Sequence, residues 1–148
     1  MTIYASRVFA DTNVLVYAEI ATSPFNKQAQ SLLQQFATQA EIWVSRQILR
    51  EYVAALSRPG VVHPPLPMIS LIADVQRFAA QYRVAEDGPA VTANWQQLLT
   101  VHSIGGRQVH DANIVATMQA YGITDLLTNN TSDFARFASV IQLIPLKP

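Results

Sequence analysis

The chain has 148 residues, with ten Lys and Arg against ten Asp and Glu, and no cysteine. This length predicts a single domain over residues 1–148. The zero net charge excludes general electrostatic attraction to nucleic acid, and the lack of cysteine excludes disulfide frameworks and thiolate metal sites.

The low charge content predicts contact with another chain, and the absence of targeting signals predicts where the protein is located. Charged residues make up 14% of the chain, against about 25% in an average soluble domain, which predicts surface that another chain covers. Residues 1–7 contain one basic residue and no long apolar core, so they do not form a secretory signal. No stretch of about twenty residues is continuously apolar. We therefore expect a cytoplasmic protein without a membrane span.

Short apolar runs alternate with segments of helical periodicity along the chain. Strands are predicted at residues 7–10, 42–44, 83–85, 126–128 and 140–144. Helices are predicted at residues 14–18, 26–38, 45–57, 68–80, 89–102 and 109–121, with a short helical turn at 132–137. Short strands that alternate with amphipathic helices predict an α/β fold with a parallel sheet.

Two aspartates stand at points of this pattern where a site is expected. Asp11 follows the first strand directly, and ligands of open α/β sheets bind at the carboxyl ends of strands, although Asp is also a favoured helix cap. Asp111 shares a helix face with Ile114, Val115 and Met118. Because burying an unpaired carboxylate costs several kcal/mol, Asp111 needs a partner, and an external cation is a stronger candidate than its own helix dipole.

Glu51, Asn130 and Asp133 are candidates on weaker patterns. Glu51 lies in the predicted helix of residues 45–57, where Arg50 or Arg58 could also pair with it at the surface. Asn130 and Asp133 follow a predicted strand, where they also suit ordinary turn and cap chemistry.

Convergence of these groups would favour a bound cation. Two carboxylates 4 Å apart repel by roughly 4 kcal/mol at an effective dielectric of 20. Oxygen ligands without cysteine indicate Mg²⁺ or Mn²⁺. Such a site is suited to hydrolysis of a phosphodiester, because a metal ion activates water and offsets charge on the phosphate.

Four blocks in order resemble the PIN-domain ribonucleases and, within them, the VapC-type toxins of toxin–antitoxin pairs. The blocks are residues 9–17 (FADTNVLVY), 44–52 (VSRQILREY), 110–117 (HDANIVAT) and 127–134 (LTNNTSDF). The resemblance implies a three-layer α/β/α sandwich around a parallel sheet, with a Mg²⁺-dependent endoribonuclease site. It also implies homodimers, an RNA substrate and an antitoxin that blocks the cleft.

The same resemblance implies residue roles. Asp11, Glu51 and Asp111 would be the acidic metal-site residues. Where some relatives have an aspartate, this chain has Asn130, followed by Asp133, and either is suited to orient the attacking water. The missing charge predicts one tightly held metal ion and weaker binding of any second.

Further polar residues flank the four blocks. Thr12, Asn13 and Thr128 are expected to support the carboxylates, with local capping as the alternative for the two threonines. Four arginines are candidates for contact with RNA phosphate, the alternative being solvated surface or pairing with the antitoxin: Arg46, Arg50, Arg107 and Arg136.

Two other classes of protein stay open. Asp11 could be the nucleophile of a haloacid-dehalogenase-like phosphatase, although Asn13 stands where such enzymes usually carry a second aspartate. A binding module that keeps only the PIN shape is the other alternative, and the presence of Asp11, Glu51 and Asp111 argues against it.

Overall fold

A computed structural model describes residues 6–146 of the chain. The strands are β1 (Arg7–Ala10), β2 (Glu41–Ser45), β3 (Arg83–Ala85), β4 (Asp125–Thr128) and β5 (Gln142–Pro145). They form one parallel sheet, which the sequence predicted, and the structure shows that their order is β3-β2-β1-β4-β5. The sequence predicted that residues 1–7 do not form a secretory signal. Of these, residues 1–5 lie outside the part of the chain that the structure describes.

Seven α-helices lie within the described part, and every predicted helix is present. They are α1 (Thr12–Glu19), α2 (Asn26–Gln39), α3 (Arg46–Ser57), α4 (Met68–Gln81), α5 (Pro89–Val101), α6 (Gln108–Ala120) and α7 (Thr131–Phe134). A 3₁₀ turn at Ala135–Phe137 continues α7. None of the helices in residues 6–146 has the length and hydrophobicity needed to cross a bilayer.

The central strand shows why the helices form two layers. Val8, Phe9 and Ala10 of β1 are fully buried. Because successive side chains of a strand point to opposite faces, both faces of the sheet must be covered. The helices supply this cover, and the fold is the expected three-layer α/β/α sandwich.

The last strand begins two residues later than predicted. The backbone N–H groups of Val140 and Ile141 both donate to the carbonyl of Phe137, at 2.9 and 3.0 Å. These bonds close the turn that follows α7, so the two residues are not available to the sheet. Pairing with β4 therefore starts at Gln142, opposite Asp125.

Strand register and helix caps bring distant polar residues to one edge of the sheet. Ala10 of β1 lies opposite Leu127 of β4, and the N–H of Asp11 donates to the Leu127 carbonyl at 2.9 Å. Ser45 ends β2 and caps α3, accepting a hydrogen bond from the N–H of Ile48 at 3.3 Å. Helices α1 and α3 thus start at the carboxyl ends of neighbouring strands.

Candidate active site

A cavity of about 660 Å³ opens where α1, α3 and α6 meet the carboxyl ends of the central strands. Four of the five residues predicted to carry the chemistry line it: Asp11, Glu51, Asp111 and Asn130. Asp133 stands beside them, since its Oδ2 accepts a 2.7 Å hydrogen bond from the side-chain amide of Asn130. Residues from four separate sequence blocks are therefore gathered at one place.

Asp11 both caps α1 and faces the cavity. Its side chain is only 5% exposed. Oδ1 accepts the N–H of Thr12 at 2.8 Å, and Oδ2 accepts the Thr128 hydroxyl at 2.7 Å and the Asn13 amide at 3.1 Å. The amide of Asn13 is fixed in turn, because its Oδ1 accepts the N–H of Asn129 at 2.9 Å.

The environment of Asp11 disfavours its negative charge. Burial raises the pKa of Asp11 to about 6, against the lowering effect of the hydrogen bonds from Thr128 and Thr12. The nearby carboxylates of Glu51 and Asp111 contribute to this rise. The hydrogen-bond donors therefore hold the Asp11 carboxylate in place, but they do not fully offset the effect of desolvation on its pKa.

Asp111 is perturbed in the same direction. Burial raises the pKa of Asp111 to about 6, and the carboxylates of Asp133 and Glu51 raise it as well. His110 and Arg107 act in the opposite direction. Two acids with raised pKa values in one cavity are typical of functional sites.

Glu51 is held at both carboxylate oxygens by residues of the chain. Oε2 accepts the hydroxyl of Thr12 at 2.8 Å, and Oε1 accepts Nε2 of Gln47 at 2.8 Å. Neither Arg50 nor Arg58 forms an ion pair with it in the described part of the chain. The alternative of a surface pair between Glu51 and an arginine is therefore wrong for residues 6–146.

No cation of the described chain neutralises these acids by direct pairing. The ion pairs found within residues 6–146 lie elsewhere and do not include Asp11, Glu51 or Asp111. Within the same range, no three His, Cys, Asp or Glu side chains are grouped closely enough to hold a metal ion directly. The groups at the cavity that could ligate a metal ion are carboxylate, hydroxyl and amide oxygens, which Mg²⁺ and Mn²⁺ prefer.

The cavity also carries positive side chains. Arg107, a candidate for RNA contact in the sequence, lines it, and so does Arg58, to which the sequence assigned no RNA contact. Arg58 lies seven residues after Glu51, which is about two helical turns. This spacing could have predicted that the two side chains lie on the same side of α3. Arg50 lines a smaller neighbouring cavity of about 310 Å³.

The remaining two arginines are engaged outside the cavity lining. Arg46 pairs with Glu86 at 2.7 Å, with both side chains well exposed. Arg136 donates from Nη1 to the carbonyl of Ser103 at 3.0 Å. The structure gives both side chains a protein partner, and their contact with RNA stays a prediction.

Comparison with known proteins identifies the family. Residues 8–140 match the model of the PIN domain family, and the chain belongs to that family. The match overturns the alternative of a haloacid-dehalogenase-like phosphatase. PIN-domain nucleases of the VapC type generally depend on a divalent metal ion.

Individual relatives are similar over most of the chain. Ribonuclease VapC24 of Mycobacterium tuberculosis (strain CDC 1551 / Oshkosh) is 28% identical over 129 residues, which cover 86% of this chain and 88% of the relative. The VapBC2 structure from Rickettsia felis, bound to a promoter DNA fragment, has a TM-score of 0.70 at 21% identity and covers 95% and 99% of the two chains. Mycobacterium tuberculosis VapC20, described as a sarcin–ricin loop cleaving toxin, has a TM-score of 0.66 at 19% identity and covers 86% and 93%.

Proposed function

We propose that this chain is a Mg²⁺-dependent endoribonuclease, able to use Mn²⁺, that acts as the VapC-type toxin of a toxin–antitoxin pair. The observation that carries the proposal is the cavity in which Asp11, Glu51, Asp111 and Asn130 meet without a paired cation from residues 6–146. RNA as the substrate is supported by the names of the relatives, a ribonuclease and a sarcin–ricin loop cleaving toxin.

The donor set suits a divalent ion held by Asp11, Glu51 and Asp111. Because no three acidic groups of the described chain are close enough for direct ligation, we propose that some act through water. Mg²⁺ commonly keeps several waters and takes only one or two carboxylates. When bound, the ion would lower the pKa of a coordinated water and offset charge on the scissile phosphate.

The other residues of the cavity have separate tasks in this proposal. Asn130 and Asp133, joined by a 2.7 Å hydrogen bond, orient the attacking water directly or through another water. Arg58 and Arg107 contact the phosphates that flank the scissile bond. Thr12 and Thr128 hold the carboxylates in the orientation required.

We further propose protein partners, namely a cognate antitoxin and a second copy of the chain. Structural relatives include VapBC complexes, in which toxin and antitoxin are bound together. Exposed apolar side chains on α4 also support a protein contact, with Ile69 at 77%, Met68 at 50% and Ile72 at 48% exposure. The chain would act in the cytoplasm as a single PIN domain over residues 1–148.

A cleavage assay with matched variants tests the enzymatic proposal. RNA should be cut with Mg²⁺ or Mn²⁺, and it should stay intact with EDTA and with the Asp11→Asn variant. Asp125→Asn is the control, because Asp125 lies at the opposite end of β4 and should not be needed. A protein that binds RNA or an antitoxin but never cleaves with metal would instead be the non-catalytic PIN-shaped module.

A further inference from the structure

We infer that Gln47 is a positioning residue, which holds the Glu51 carboxylate in place and ties it to the start of α6. This inference rests on the proposed metal-dependent function, because positioning matters only if Glu51 serves the site. The resemblance to PIN ribonucleases assigned no role to Gln47.

The side chain of Gln47 is buried and fully engaged. It is 9% exposed. Its Nε2 donates to Oε1 of Glu51 at 2.8 Å and to the backbone carbonyl of His110 at 3.0 Å. Its Oε1 accepts a hydrogen bond from Nδ2 of Asn113 at 2.9 Å.

These contacts permit only one orientation of the amide. A side-chain amide has two N–H donors, and Gln47 uses them on two groups that can only accept, the Glu51 carboxylate and the His110 carbonyl. A flipped amide would place its oxygen against both acceptors and its NH₂ against the NH₂ of Asn113. Asn113 is itself oriented by a second, longer contact of 3.5 Å to Oδ2 of Asp87.

The position of Gln47 links two of the three acids. Glu51 lies one turn further along α3, and His110 directly precedes Asp111 on α6. One amide therefore restrains both the Glu51 carboxylate and the backbone next to Asp111. With the Thr12 hydroxyl on the other oxygen of Glu51, the carboxylate is fixed from both sides.

A purely structural link between α3 and α6 would need only the bond to His110. The second N–H of Gln47 donates to Glu51, which is partly exposed and could otherwise be hydrated. Residues that orient a metal-site carboxylate in this way typically change metal affinity or activity about 10–100-fold when mutated.

The test replaces Gln47 with Met, which is similar in size and cannot donate. We expect the Mn²⁺ affinity, measured by isothermal titration, to fall by about tenfold. The matched control is Asn94→Leu, because the Asn94 amide donates to the Ala116 carbonyl at 3.2 Å and links α5 to α6 without contacting a carboxylate. The control should lose thermal stability but bind Mn²⁺ like the wild type.

A double-mutant cycle shows whether Gln47 acts through Glu51. In the Glu51→Gln background, Gln47→Met should weaken Mn²⁺ binding much less than in the wild type. Full additivity of the two changes, or wild-type affinity in Gln47→Met, would overturn the inference. If Gln47→Met does not fold, Asn113→Leu should weaken binding in the same direction, and unchanged affinity there would overturn it.

The two proposals can fail separately. Mn²⁺ affinity reports on positioning whether or not RNA is cleaved. A wild type that binds Mn²⁺ but cleaves no RNA would contradict the proposed function, while the affinity of Gln47→Met would still decide the role of Gln47.

Discussion

The hydroxyl of Thr128 donates a 2.7 Å hydrogen bond to Oδ2 of Asp11, although the two residues are 117 positions apart. The contact follows from strand register, because Ala10 lies opposite Leu127 and the next residue of each strand stands at the edge of the sheet. The same oxygen of Thr128 accepts the N–H of Asn130 at 2.9 Å. One threonine thus orders two residues of the candidate site.

Thr128→Val should shift the pH dependence of RNA cleavage. The hydrogen bond from Thr128 lowers the pKa of Asp11, so its removal raises that pKa further above about 6. Less Asp11 is then ionised at a given pH, and the acidic limb of the cleavage profile should move to higher pH. The measurement is the cleavage rate from pH 5 to 8, with Thr124→Val as the control. Superimposable profiles for wild type and Thr128→Val would contradict the prediction.

The metal-free protein should lose stability as the pH rises through about 6. Asp11 has its pKa raised from 3.8 to about 6 in the fold, so the folded state binds the proton more tightly than the unfolded state. The stabilisation that comes from this tighter proton binding is fully present below the unfolded-state pKa of 3.8. It is lost as the pH rises above the folded-state pKa of about 6. A shift of this size corresponds to about 3 kcal/mol, and Asp111 acts in the same direction.

Asp11→Asn isolates this effect. In EDTA, the variant should be more stable than the wild type at pH 7 and should approach it toward pH 4, because the neutral amide has no charge to desolvate. Urea unfolding across this pH range measures the difference. A difference that stays constant with pH would show that Asp11 does not titrate in the fold as described.

Local patterns predicted most of the fold and the general place of the site. Asp11 and Asn130 were placed by the rule that sites form at the carboxyl ends of parallel strands, and Asp111 by its apolar helix face. These signals depend on residues that lie close together in the chain, so they can be recognised in a single sequence. Membership of the PIN domain family agrees with the same blocks.

The supporting contacts could not be predicted in the same way. The bond from Gln47 to the His110 carbonyl spans 63 residues and depends on how α3 packs on α6, which periodicity does not encode. A glutamine in a helix is typical of an exposed face, and only the packed structure shows it buried. Likewise, the bond from Arg136 to Ser103 joins the 3₁₀ turn of Ala135–Phe137 to the loop after α5, which no local pattern brings together.

The arginines that line the cavity should govern RNA affinity. Arg58→Ala and Arg107→Ala should each raise the KM for RNA and reduce its dependence on salt, because each removes a charge beside the acids. Arg136 was also a candidate for RNA contact in the sequence, but its guanidinium bonds to Ser103 outside the cavity lining, so we expect Arg136→Ala to reduce thermal stability and leave the KM unchanged. Cleavage kinetics at several salt concentrations make the comparison. An equal rise in KM for all three variants would contradict the assignment.

Asn130→Asp should create a second tight metal site. The Asn130 amide donates to Oδ2 of Asp133 at 2.7 Å, so the substitution places two carboxylates where one donor and one acceptor now meet. Their repulsion should lower the unfolding temperature in EDTA, and Mn²⁺ should restore it. Titration calorimetry should then detect two tight Mn²⁺ ions in the variant against one in the wild type. Asn130→Ala separates the loss of the amide from the gain of charge, because it should lose stability without gaining a metal ion. Two equally tight ions in the wild type would show that the missing charge at Asn130 does not limit metal binding.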